Sequence, residues 1–146
     1  MLEVACHCTN ARRAARSLTE HYDAVLAPSG LKVTQFSLLR ATGRLGRPSI
    51  SALAAATGLD RSTLGRNLRV LERAGHVRLG PGRDERTRLV EITEAGAAAV
   101  TAALPPWERT QAAITASVGA ADLEVFGRVL RRLQELSPQV DEETPT

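Results

Sequence analysis

GLDRSTLGRNLRVLERAGHVRLGPGRDERTRLVEI, residues Gly58 to Ile92, decides the fold. Leu64, Leu68 and Leu71 recur at spacings of four and three, which lays one apolar stripe along a helix and turns Ser62, Arg66, Arg69 and Arg73 to the opposite side. Gly58 supplies a turn before this helix and Asp60 is placed to cap it. Beyond it, Val77–Leu79 and Arg88–Ile92 read as short strands around Gly80–Thr87, whose Gly-Pro-Gly marks a turn. A polar-faced helix followed at once by a basic hairpin is the order of a winged helix-turn-helix. Between Arg61 and Arg88 there are eight arginines against three acids, a local net charge of +5 where the whole chain carries +3. The basic charge is therefore concentrated, and its expected partner is DNA.

Working outward, Ser49 caps a short helix from Ile50 to Thr57. Before it, a helix from Val33 to about Thr42 carries Phe36, Leu38 and Leu39, and the 43–48 loop is expected to break it at Gly43. Val4, Cys8, Ala11, Ala15, Leu18, Tyr22 and Val25 form an apolar stripe on a first helix that ends before Pro28–Gly30. Downstream, Thr93 caps a long helix that Pro105–Pro106 should interrupt, and Asp122–Leu136 reads as a last amphipathic helix. The fold class is thus mainly α with a small β-wing. One domain spans 1–137, with DNA binding at about 31–96 and dimerisation helices at about 1–30 and 104–137. Residues 138–146 form a polar, acidic tail.

At 146 residues the chain has room for a modest core, and a partner subunit would enlarge it. No apolar run approaches the roughly 18–20 residues of a membrane span, and no basic-then-apolar secretory segment opens the sequence. A cytoplasmic protein with reduced thiols is expected. Its two cysteines, Cys6 and Cys8, are two residues apart, so within a helix they would diverge and bridge poorly.

The residue types suit DNA contact in different ways. Ser62 and Thr63 at the start of the recognition helix can reach phosphates or bases; Arg66 can fork onto guanine and Asn67 onto adenine. Further along, Arg69 and Arg73 meet phosphate as the straight helix leaves the curved groove. Ser49 and Arg61 flank this helix and join the candidate set. In the wing, Arg83, Arg86 and Arg88 lie near the sugar-phosphate backbone, with one tip arginine able to enter a narrow minor groove. Asp84 cannot favour phosphate and is expected to orient a neighbouring arginine.

The run ISALAAATGLDRSTLGRNLRVLERAG, from Ile50 to Gly75, followed by DERTRLVEITEAG, from Asp84 to Gly96, resembles the multiple-antibiotic-resistance regulator (MarR) family. The similarity extends to GLKVTQFSLLRA upstream and PPWERTQ downstream. It implies a homodimer with interlocking terminal helices, bound as a repressor to double-stranded DNA at a near-palindromic operator. Ser62, Thr63 and Arg66 match recognition-helix positions, and the Asp84–Arg86 pair matches the wing motif that sends Arg86 to the minor groove. The chain departs from the family pattern at Ala52, where an acidic residue is common, and at Gly65, where Ser or Thr is common.

Two effector mechanisms suit the residues. A small aromatic or acidic ligand would be held where His21, Tyr22, Phe36 and Trp107 converge near arginines. Alternatively, the thiols sense an oxidant: Cys8 sits where the organic-hydroperoxide-sensing branch of the resembling family carries its reactive cysteine, and Tyr22 matches one supporting tyrosine while Val33 replaces the other. Cys6 lies on the polar side of the helix. A metal site from Cys6, His7 and Cys8 has little support, because neighbouring helical residues diverge. No metal or other cofactor is expected. Nor is an enzyme: His7, His21 and His76 are scattered, and the Gly80–Gly82 loop lacks an amide at Pro81 to cradle phosphate. The rival from another class is a DNA-binding structural protein without an effector.

Overall fold

The computed structural model describes residues 6–84 and 86–136. The element order is α1 (His7–Leu26), a 3₁₀ turn (Ala27–Ser29), α2 (Val33–Leu45), α3 (Ile50–Thr57), α4 (Arg61–Arg73), β1 (Val77–Pro81), β2 (Arg88–Ile92), α5 (Glu94–Val118) and α6 (Ala120–Gln134). The chain divides into two compact units, Met1–Glu108 and Arg109–Thr146. Val4, at the head of the expected α1 stripe, and the acidic tail lie outside the described residues.

The first unit is built around one apolar core. Phe36, Leu38 and Leu39 of α2, Leu53 of α3, and Leu64, Leu68 and Leu71 of α4 are all buried, together with Val77 of β1, Val90 of β2 and Ala103 of α5. The strands pair antiparallel from Val77↔Ile92 to Pro81↔Arg88, so β1 runs to Pro81, two residues past Leu79. A terminal position accommodates a proline, which has no ladder N–H to give. Val90 N–H donates to the Pro48 carbonyl at 2.8 Å, and Ser49 bridges Leu89, which fastens the returning wing strand to the start of α3.

Helix starts are set by local chemistry. Ser49 Oγ accepts the Ala52 amide at 3.1 Å, Asp60 Oδ1 the Thr63 amide at 2.8 Å, and Thr93 Oγ1 the Gly96 amide at 3.0 Å. At α2 the cap comes from another helix: Asp23 of α1 accepts the Val33 amide at 2.8 Å, while Gln35 accepts the Lys32 amide. An acidic group there also complements the positive end of the α2 dipole.

Two expected breaks do not occur. α2 continues through Gly43 to Leu45 and ends where Gly46 takes φ 81°. The buried Ala41 and Thr42 hold its last full turn, and Thr42 Oγ1 donates to the Leu38 carbonyl at 2.9 Å. α5 likewise continues through Pro105 and Pro106. Each proline removes a helical hydrogen bond at a cost of about 3 kcal/mol, but packing flanks the pair: Ala103 is fully buried, and Trp107 packs against Phe36 at a ring separation of 5.7 Å. α1 begins at His7, which makes Cys6 its N-cap with an extended backbone. The expectation that helix geometry parts Cys6 from Cys8 therefore does not apply. α6 starts at Ala120, two residues before Asp122, and ends at Gln134.

Tight backbone contact joins α4, the wing and α5. Thr93 donates from its amide to the His76 carbonyl at 3.0 Å and from Oγ1 to the Gly75 carbonyl at 2.6 Å. Gly96 lies so close that a Cβ would stand 2.1 Å from the His76 carbonyl oxygen, so only glycine fits.

In the second unit α6 has no buried residue although it is amphipathic: Val125, Phe126, Val129, Leu130 and Leu133 are all between 37% and 46% exposed. Most of α1 is similarly bare, with Cys8, Ala11, Ala15 and Leu18 exposed. Among the described residues no helix is long and apolar enough to cross a membrane.

Candidate nucleic-acid interface

The stripe of buried leucines fixes how α4 is rolled, and that roll sets what it offers outward. Arg61, Ser62, Arg66 and Arg69 are exposed, while Thr63 and Asn67 are half-buried at the edge of the same face. Asp60 secures the first turn twice, accepting from the Thr63 amide and from Thr63 Oγ1, both at 2.8 Å. Those bonds, with lesser help from the Ser62 amide and the Arg66 charge, outweigh desolvation and hold the Asp60 carboxyl below the ordinary carboxylate range. Arg66 Nη2 approaches Thr63 Oγ1 at 3.4 Å, so Asp60, Thr63 and Arg66 form one polar chain along the helix start. Gly65 sits among them with open space where a Cβ would be, so nothing in the chain itself demands glycine there.

In the wing, Arg83, Arg86 and Arg88 are exposed. Asp84 acts on its neighbouring arginine through the backbone. Its Oδ1 accepts the Thr87 amide at 2.7 Å and the Arg86 amide at 3.1 Å, and no ion pair joins it to an arginine among the described residues. Hydrogen bonding from Thr87, then Arg86, lowers its carboxyl below the ordinary range. Asp84 thus shapes the tip through the backbone and sets the direction from which Arg86 leaves it. The Gly82 amide closes the turn onto the Thr87 carbonyl at 2.7 Å.

Among the described residues the ion pairs are Arg47–Glu91 and Arg128–Glu124. Among the described residues none of the eight arginines from Arg61 to Arg88 forms an ion pair, so the α4 face and the wing present exposed positive charge. Sequence reasoning missed one contact here: the Arg61 guanidinium donates to Ser51 Oγ on α3. No spacing rule pairs those two residues, since the contact depends on how α3 and α4 cross.

The sensing candidates fall into separate places. Phe36 and Trp107 meet, and Arg40 lies over both rings, 4.7 Å from the Trp107 centroid and 5.5 Å from that of Phe36. With Ser37 and Arg44 these side chains line a recess of about 170 Å³. His21 and Tyr22 instead form an edge-on pair on α1, with ring centres 6.3 Å apart, and burial raises the Tyr22 hydroxyl pKa. Cys6 and Cys8 are both exposed and free. Hydrogen bonds from the Thr9 amide first, then the Thr9 hydroxyl and the Cys8 amide, lower the Cys6 thiol below its ordinary value. Among the described residues no group of His, Cys, Asp or Glu gathers as a metal site, the run of Cys6, His7 and Cys8 included.

A recognition helix with an exposed basic face, set beside a basic β-hairpin on one shared core, defines a winged helix-turn-helix DNA-binding protein. The MarR family profile matches residues 29–87. The transcriptional regulator MosR of M. tuberculosis, in its structure with DNA, is 44% identical over 88% of this chain and 93% of its own, with a TM-score of 0.82. The chain belongs to the MarR family of DNA-binding transcription regulators. Two more distant structures share its fold. A cysteine-to-serine mutant of E. coli MarR with operator DNA is 20% identical over 90% of this chain and 95% of its own, at a TM-score of 0.80. Bordetella bronchiseptica BpsR, whose DNA binding is regulated by 6-hydroxynicotinic acid, is 21% identical over 94% of this chain and 99% of its own, at 0.81. A search of curated protein sequences gives no match.

Proposed function

We propose that the chain is a cytoplasmic homodimeric repressor that grips a near-palindromic operator through α4 and the wing and is released by an effector. The observation that carries this reading is the outward face of α4 and the hairpin, where eight arginines stand without an ion pair among the described residues. The bare apolar faces of α1 and α6 support the dimer, since a second copy would cover them and would pair two recognition helices with two half-sites. In this reading Ser62, Thr63, Arg66 and Asn67 meet base edges or nearby phosphates, Arg69 meets phosphate, and Arg86 enters the minor groove from a tip shaped by Asp84. Arg83 and Arg88 follow the backbone alongside.

Fluorescence anisotropy on the chain's own upstream DNA, with random duplex as competitor, tests the reading. Arg86→Ala should weaken operator affinity with an unchanged melting temperature; unchanged affinity would remove Arg86 from the interface. Arg66→Ala should relax preference at one symmetric base pair by about 1–3 kcal/mol. Uniform weakening across sequences would instead assign Arg66 to phosphate.

The effector reading that the recess favours is a small ligand at Phe36, Arg40 and Trp107. The two free, exposed cysteines favour a second, in which the Cys8 thiolate attacks the outer oxygen of a hydroperoxide, an alcohol leaves, and the resulting sulfenic acid condenses with another thiol, releasing water. The same titration separates the two. Operator binding lost on hydroperoxide treatment and kept in Cys6→Ser or Cys8→Ser establishes thiol sensing. Binding that survives oxidation leaves the ligand reading.

A further inference from the structure

Beside the recognition face the chain builds a recess of about 260 Å³, open on one side and lined by Ser49, Ser51, Arg61, Arg86, Thr87 and Arg88. Three elements meet there, namely the first turn of α3, the first residue of α4 and the return of the wing. Their relative positions are fixed by the Ser49–Leu89 bridge, by the Val90 amide on the Pro48 carbonyl, and by the Arg61 guanidinium on Ser51 Oγ. Ser49 Oγ is occupied by the Ala52 amide and the Ile50 amide is engaged with the wing strand by the Ser49–Leu89 bridge, whereas the Ser51 amide has no acceptor among the described residues. It is one of the unpartnered donors that every helix leaves in its first turn. Three arginines therefore line the recess beside a helix N-terminus, and among the described residues no carboxylate lines it. An open recess lined by three arginines suits one tetrahedral oxyanion offered from outside.

We propose that this recess seats a single backbone phosphate of bound DNA, with Arg61 as its fixed donor and Ser51 as the positioning residue that holds Arg61. The proposal rests on the DNA-binding reading and refines it. Arg61 opens the recognition helix, yet its guanidinium is tied back to α3, so it cannot reach for a base edge without breaking that bond. Its remaining N–H groups, the Ser51 amide and the charge of Arg88 converge on one anion. Because helix-turn-helix and wing would grip the same phosphate, the contact sets the register of each against the duplex and carries no sequence information itself.

The test replaces single phosphates of one operator half-site by uncharged methylphosphonates and titrates wild type, Arg61→Ala, Arg61→Lys and Ser51→Ala by anisotropy. One phosphate should stand out. Its neutralisation should weaken wild type about tenfold, the loss of one charge-assisted contact, and should leave Arg61→Ala almost unaffected. Arg61→Lys should restore part of the effect, and Ser51→Ala should fall between Arg61→Ala and wild type at that same phosphate. Arg61→Ala should also flatten the plot of log affinity against log salt by about one per recess, with base preference unchanged. Independence of Arg61 from every phosphate overturns the proposal, as does a shift in base preference. A lower melting temperature with an unaltered salt slope overturns it too, since Arg61 would then only tie α3 to α4. Inorganic phosphate that protects the recess while no DNA phosphate couples to Arg61 would make it a free-anion site, again against the proposal. Wild type that binds no duplex sinks the DNA reading and the seat together, whereas wild-type binding without coupling sinks the seat alone.

Discussion

α4 and α6 are amphipathic helices of 13 and 15 residues whose apolar stripes have met opposite fates. On α4, Leu64, Leu68 and Leu71 are at most 1% exposed; on α6, Phe126, Leu130 and Leu133 are 45%, 37% and 45% exposed. Periodicity announces an apolar face in both. It does not say which surface covers that face. The first unit completes its own core, whereas α6, and α1 at the other end of the chain, present exposed apolar faces that the proposed dimer would bury. Covered and bare faces should therefore respond differently to the same substitution.

The largest expected difference lies between Leu68→Ala and Leu130→Ala. The first opens a cavity in a sealed core and should lower stability by about 2–5 kcal/mol at any protein concentration. The second should cost little in a single chain and act through association, so that the melting temperature depends more steeply on protein concentration and sedimentation shows more monomer. If Leu130→Ala were as costly as Leu68→Ala and independent of concentration, the stripe of α6 would be covered within its own chain and the contrast would fail.

Two glycines sharpen the comparison at smaller amplitude. Gly96 faces the His76 carbonyl, so Gly96→Ala must push backbone against backbone and should destabilise by about 1–3 kcal/mol, as overpacking does. Gly65 lies on the outward side of α4 with open space where a Cβ would go, and Gly65→Ala should stabilise the helix by about 1 kcal/mol in thermal denaturation. If DNA approaches closely at Gly65, the same variant binds operator more weakly while melting higher. Higher melting with undiminished affinity would show that the duplex does not need the gap.

What can be read from the sequence follows the range of the interactions involved. Ser49, Asp60 and Thr93 cap the helices expected of them because a cap joins residues three apart. The leucine stripe of α4 and the two strands are likewise local patterns, and they are enough to place the recognition helix and wing. Breakers mislead. Gly43 and the Pro105–Pro106 pair carry a local cost that packing around Thr42, Ala103 and Trp107 overrides, and that packing is set by the whole fold. Contacts between distant residues leave no local mark: Asp23 on the Val33 amide, Arg40 over Trp107, Arg61 on Ser51. How Asp84 acts on Arg86 is likewise hidden: the tight turn offers its carboxylate the Arg86 and Thr87 amides. The Cys6 thiol is lowered because α1 starts one residue after it and turns the Thr9 and Cys8 amides toward it, and a helix start with no side-chain cap leaves little mark in sequence.

The smallest expected effect concerns how the two helices begin. α4 starts on Asp60, whose carboxylate accepts from Thr63 twice, whereas α6 starts on Gly119 with no side-chain cap. Because those bonds lower the Asp60 pKa in the folded state, its contribution to stability is complete above the unfolded-state value. It disappears as pH falls through the lower folded value. The acid limb of the stability curve, followed by circular dichroism, should therefore lie below the ordinary carboxylate range for the start of α4. Asp60→Asn isolates the charge, since asparagine caps a helix about as well as aspartate while remaining neutral. Stability near neutral pH should change little and the Asp60 share of the acid limb should vanish. If Asp60→Asn instead destabilises equally at all pH values, the charge matters less than the fit of the side chain, and the polar chain from Asp60 through Thr63 to Arg66 is held by hydrogen-bond geometry alone.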